Sequence, residues 1–192
     1  LSAAQKDVID HLSLMKPNPV ATKYAPISQD PEVLTRHIKI LGYFLKADIM
    51  GTCEVPKSAY YSHDKQGNPI DIQYENAIAL LMRKEQNAMR ASTGSDWMGD
   101  PISFQAYQHL GVVAETIANY VRRLGWDASA QYGPSLVNRY SVLIPPLLLL
   151  AGMGEVSRAG IILNPYLGLG FKAAAVLTNM PLVPDKPIDF GL

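Results

Sequence analysis

The stretch FKAAAVLTNMPLVPDKPIDFGL, Phe171–Leu192, joins two kinds of chain in one segment. Phe171–Thr178 is almost wholly apolar and reads as a strand. Pro181, Pro184 and Pro187 then punctuate a connection that can be neither helix nor inner strand. Lys172 lies inside the apolar part, and a lysine there must find a partner or water. Working outward, Pro145–Gly160 (PPLLLLAGMGEVSRAG) reads as a short buried helix followed by a glycine-rich loop. NAIALLM, Asn76–Met82, and ADIMGTCEV, Ala47–Val55, read as buried strands, and WDASAQYG, Trp126–Gly133, as another.

Helices alternate with these strands. Asp30 and Pro31 supply a cap and a first position for a helix running to about Ala47, with Val33, Ile38, Leu41 and Leu45 recurring at helical spacing. Ile102–Leu124 is the longest helix, stopped by Gly125. DVIDHLSLM, Asp7–Met15, gives one or two amphipathic turns, and Lys16–Pro31 is a proline-rich segment expected to wrap over the surface. Tyr60–Asp71 reads as a turn-rich loop and Arg90–Ser103 as a long polar one. The pattern predicts a layered α/β or α+β sandwich, a sheet covered by helices.

The composition excludes several classes. With 192 residues the chain is long enough for one cored domain. Its 17 basic and 17 acidic residues balance, and it has no basic stripe or motif for nucleic acid. Its single cysteine, Cys53, allows neither an internal disulfide nor a cysteine-ligated metal centre. The apolar run Val142–Met153 is too short to span a bilayer. No dinucleotide, P-loop or nucleophile-elbow motif is present, and the 4 histidines are scattered without metal spacing. Arg122 and Arg123 suit the end of a helix. The chain begins with Leu1, which reads as a fragment or a processed piece.

Two features suggest chemistry. Gly152, Gly154 and Gly160 bring backbone N–H groups within reach of a bulky or anionic ligand, with Arg158 beside them as an anion clamp; a tight helix–strand turn is the alternative. Tyr107 follows the GSDWMGDP loop and can act as an acid if a cation such as Lys172 stands near it; a core tyrosine is the alternative.

Taken together, five segments in order resemble the cobalamin-dependent reductive dehalogenases: Arg36–Pro56, Ala59–Asp71, Ala106–Ala128, Ile144–Gly168 and Ala174–Gly191. The resemblance divides the chain into an N-terminal extension, 1–31, and a corrinoid-binding core, 32–192, of nitroreductase-like fold. It implies base-off cobalamin, whose cob(I) form breaks a carbon–halogen bond while a proton replaces the halide. Tyr107 matches the proton donor, Lys172 the assisting cation of the self-contained catabolic branch, and Asn138 a polar residue on the substrate side. Gly152, Gly154, Ser157, Arg158, Asn164 and Tyr132 match positions around the cofactor.

In the family, the D-K-P-I-D-F-G segment leads into a ferredoxin-like part holding two [4Fe–4S] clusters, so electrons from a ferredoxin or flavin reductase are expected to arrive through a segment beyond Leu192. The resemblance further implies an organohalide substrate, aromatic by preference, a possible homodimer, and a cytoplasmic location, with the periplasmic face as alternative. The chain departs from the pattern at Leu169, where a charged residue is expected, and at Tyr132–Tyr140 (YGPSLVNRY). The competing readings are a corrinoid-carrying or corrinoid-processing module and a domain whose glycines serve turns only.

Overall fold

The computed structural model describes residues 1–64, 67–71, 74–92, 94, 96–133 and 141–191. The strand inferred for Phe171–Thr178 forms as such and is central. This strand, β6, pairs antiparallel with β2 (Asn76–Arg83) on one side and β3 (Ala128–Gln131) on the other, and β1 (Ile49–Glu54) closes the far edge beyond β2. The order β1-β2-β6-β3 is antiparallel at every step.

Both faces of this sheet are covered, which is why its central strands read as continuous apolar runs rather than as alternations. Ile78, Leu80, Met82, Ala174 and Val176 face one layer, built by α1 (Ser2–Leu14), α2 (Pro31–Phe44) and α4 (Gly99–Leu124). Ala77, Ala79, Leu81, Ala175 and Leu177 face the other, built around α5 (Ile144–Leu150). Between β2 and α4 lies the short α3 (Gln86–Ala91). The glycine-rich segment folds into a small hairpin of β4 (Glu155–Val156) and β5 (Ile162–Leu163).

The helix signals read from the sequence act as expected at the ends. The Asp30 carboxylate accepts from the Glu32 and Val33 N–H groups, and Gly125 stops α4 at φ 107°. Other expectations need correction. Val33 is exposed, and the buried stripe of α2 runs through Leu34, Thr35, Ile38 and Gly42. Gly42 is there because Met50 fills the space a Cβ would take. The long helix starts at Gly99, not Ile102, and Arg90 and Ala91 belong to α3 rather than to a loop. The N-terminal turns make a 13-residue helix whose Ile9 is fully buried.

The proline-rich segment does wrap over the body. Ala21 and Ala25 N–H groups donate to Arg122 and Leu124 carbonyls at 2.9 and 3.0 Å, satisfying the C-terminal end of α4. Arg122 serves more than the helix dipole, because it also bonds the carbonyls of Ala128 and Asn18 and pairs with Asp127 at 2.7 Å.

After β6 the connection folds back across β1. β1 is an edge strand, and Asp185 pairs its outward backbone: the Asp185 N–H donates to the Thr52 carbonyl, and the Asp185 carboxylate accepts from the Thr52 N–H, both at 2.8 Å. Lys39 of α2 holds the same carboxylate at 2.6 Å. Cys53, next on β1, is buried, with its thiol pushed up to about 12 first by burial and then by Asp185 and Glu54. Burial together with Asp127 likewise raises Tyr74 to about 12. Both groups bind their protons more tightly when folded. The stability they contribute is therefore complete below their ordinary pKa values and is lost as pH rises through the folded ones. Urea midpoints are expected to hold up to about pH 9 and to fall steadily toward pH 12, with Cys53 inert to iodoacetamide at pH 8 until the chain unfolds. Rapid alkylation of the native protein would contradict this.

Candidate active site

Tyr107 and Lys172 meet. The antiparallel register sets Lys172 opposite Met82, on the face of β6 that looks toward α4. Tyr107 leaves α4 one position after the buried Ala106, so its ring lies at the margin of this layer, partly buried against the core. The Lys172 Nζ stands over that ring, 4.9 Å from its centre. The ammonium thus faces the negative π cloud of the tyrosine rather than the phenol oxygen. Burial pushes the Tyr107 phenol above the ordinary tyrosine range. The group at this position therefore keeps its proton at neutral pH, the state a proton donor must start from.

The sequence reading missed Lys84. It follows β2, its N–H donates to the Gly170 carbonyl at 2.8 Å, and it enters the same face as Lys172. Burial first, and then the charge of Lys172, lower its pKa. Lys84, Gln105, Ala106 and His109 are among the residues lining a cleft of about 450 Å³ between the end of β2 and α4. A lysine closing the apolar run NAIALLMRK was the available signal, but only the β2–β6 register brings it to Lys172.

The glycine-rich group lies on the other layer, with α5. Gly152 has φ 65°, and a Cβ there would collide with the Lys186 carbonyl of the returning connection. At Gly154 a Cβ would stand 2.7 Å from the Leu163 carbonyl oxygen and from the Ile162 side chain. The chain itself therefore occupies the space these two glycines leave. Asn164 is buried and fully engaged, donating to the Met153 carbonyl and accepting from the Tyr166 and Leu167 N–H groups. Two groups here have polar atoms to offer: the Ser157 hydroxyl is buried with no hydrogen-bond partner, and Arg158 is exposed without an ion-pair partner among the described residues.

Tyr132 belongs to neither group. It is packed on Gly111 of α4, 4% exposed, and its hydroxyl donates to Glu115 at 3.1 Å. Asn138 lies outside the described residues. Leu169 is half exposed in the loop that leads to Lys172. Among the described residues no group of three or more His, Cys, Asp or Glu side chains gathers in a way that holds a metal ion, and no helix is long and apolar enough to cross a membrane.

The chain has counterparts among known proteins. No family model matches the chain. It is 24% identical over 201 residues to the tetrachloroethene reductive dehalogenase of Sulfurospirillum multivorans, covering 87% of this chain and 38% of that protein. It superimposes on the catabolic reductive dehalogenase NpRdhA with a TM-score of 0.90 and 30% identity, over 100% of this chain and 28% of that one. NpRdhA has also been solved in complex with 3-bromo-4-hydroxybenzoic acid. A further reductive dehalogenase, described as B12-dependent, matches with a TM-score of 0.84. Epoxyqueuosine reductase shares the fold at 14% identity and a TM-score of 0.56. Over its whole length the chain is similar to reductive dehalogenases. It spans between 28% and 38% of the length of NpRdhA and of the Sulfurospirillum protein.

Proposed function

We propose that this chain is the corrinoid-binding part of an enzyme that replaces a halogen on an organohalide with hydrogen. Within it, residues 32–192 form the core, of nitroreductase-like character, and residues 1–31 an extension packed on it. The observation that carries the reading is the Lys172 ammonium over the Tyr107 ring, in a chain whose fold follows solved reductive dehalogenases throughout. A cobalamin, when bound, supplies the reduced cobalt centre that breaks the carbon–halogen bond.

The residues present fit such a group in part. The Ser157 hydroxyl and Arg158, without partners among the described residues, suit the phosphate and amide groups of its nucleotide tail, while Gly152 and Gly154 shape the loop that carries them. Asn164 holds that loop by its bonds to Met153, Tyr166 and Leu167, and Tyr132 braces α4. Asn138 is proposed for the substrate side. Tyr107, kept protonated by burial, delivers the proton from its hydroxyl to the carbon that loses halide. Lys172 stabilises the tyrosinate that remains and the halide that departs. An aromatic substrate is favoured by the brominated hydroxybenzoic acid bound to NpRdhA. Electrons are proposed to come through iron–sulfur clusters held outside these residues, since Cys53 is the single cysteine and is buried.

The test is reconstitution. Chain refolded with hydroxocobalamin and freed of excess cofactor is expected to keep a corrinoid absorption spectrum at near one equivalent. A base-off spectrum supports the reading, and a colourless protein removes it. Uptake with no turnover once reductant and a bromophenol are supplied to an enzyme carrying the clusters would favour a corrinoid carrier instead.

A further inference from the structure

Lys84 and Lys172 are two cations that the fold forces together. Lys84 bonds Gly170 through its backbone, and Lys172 stands two residues further along β6 on the same face. Such diagonal neighbours across an antiparallel pair are within reach of each other's side chains. Both side chains are partly buried. Neither ammonium has a carboxylate within salt-bridge distance among the described residues. Two acids share the cleft with Lys84, each held by backbone N–H groups and neither within salt-bridge distance of the two lysines: Asp48 accepts from the Arg83 N–H at 2.7 Å, and Glu85 caps α3 through the Asn87 and Ala88 N–H groups. Two like charges held together at a half-buried position repel, and burial without a counter-charge is costly. A protein tolerates such a pair where an anion completes it.

We propose that Lys84 and Lys172, beside Tyr107 and at the end of the cleft lined by Lys84, Gln105 and His109, form a binding site for a small monovalent anion, which under the dehalogenase reading is the released halide. Lysine suits this ligand. An ammonium on a flexible stem is a point charge that closes on a spherical ion, whereas the planar fork of arginine matches carboxylate or phosphate. Lys172 stands over the aromatic ring and forms no salt bridge among the described residues, and an ammonium has three N–H donors with which to meet such an ion. The new element is Lys84, which makes the site bidentate and retains the ion after bond cleavage. Product halide is then expected to inhibit turnover competitively with the halogenated substrate.

The anion site rests on the geometry of this chain, and only its cargo rests on the proposed activity, so the two fail separately. The readout is the chloride-35 NMR linewidth in a solution of the purified chain. Native chain is expected to broaden the line well beyond urea-unfolded chain, and bromide is expected to reverse the broadening. Lys84→Gln, checked for its fold by circular dichroism, is expected to weaken the apparent affinity about tenfold or more, the scale of one lost charge-assisted hydrogen bond, while Lys84→Arg retains most of it. Absence of excess broadening by the native chain overturns the site. So does equal broadening by folded Lys84→Gln, and should that variant fail to fold, the native titration alone decides. Broadening by a chain that takes up no cobalamin keeps the anion site and removes the dehalogenase reading; cobalamin uptake without broadening does the reverse.

Discussion

Tyr107→Phe, made in a form of the enzyme competent for turnover, is expected to lower the dehalogenation rate by about 10²- to 10⁴-fold, the usual contribution of a positioned proton donor. Corrinoid content and folding stability are expected to stay close to those of the parent. The substitution removes one oxygen at the margin of the α4 layer and leaves the ring on which Lys172 stands, so the cation–π contact persists. A structural role for this residue predicts the opposite balance, with stability lost and turnover per bound corrinoid retained. Solvent deuterium provides a second check. If Tyr107 hands over the proton, the parent shows a solvent isotope effect that the phenylalanine variant loses, and an unchanged rate and isotope effect would end the assignment.

The second large effect concerns folding. Gly152→Ala is expected to destabilise the chain by about 2–4 kcal/mol, the left-handed backbone costing about 1–2 and the collision with the Lys186 carbonyl the remainder. Gly160→Ala is the control. Its φ of 74° carries the same backbone cost, but nothing lies within 4 Å of the added carbon, so a loss of about 1–2 kcal/mol is expected. Urea unfolding of the two variants separates strain from collision. Equal losses would mean that the returning connection does not press on Gly152 in solution. Since that connection also supplies Asp185 to the edge of β1, the larger loss at Gly152 would report how firmly the Pro181–Gly191 stretch is seated.

Much of the fold was legible locally. The Asp30–Pro31 start of α2, the Gly125 stop of α4 and the apolar runs of β2 and β6 each follow from short-range chemistry, so the sequence points directly to them. Val33 misled because an apolar side chain at helical spacing need not face the core; the orientation of α2 against β1 put Leu34 there instead. The hairpin inside the glycine-rich loop escaped because two-residue strands leave no periodic trace. The same loop invited a ligand reading for Gly152 and Gly154 when their nearest atoms belong to the chain itself, since a glycine states only that space is needed and not what fills it.

The order of motifs along the chain marked Tyr107 and Lys172 as a pair worth testing, but they lie on a helix and a strand with β3, α5, β4 and β5 between them in the sequence. Sequence by itself pointed to most of the longer elements, to the Asp30 and Gly125 helix ends and to the resemblance to the dehalogenases, because propensity, capping and motif spacing act over a few residues. Tertiary structure alone decided that Lys172 stands over Tyr107, that Lys84 joins it, and that the glycine-rich group lies on the opposite layer. Strand register is a long-range choice, and slipping β6 by a single residue against β2 would turn Lys172 to the other face of the sheet, away from Lys84 and α4.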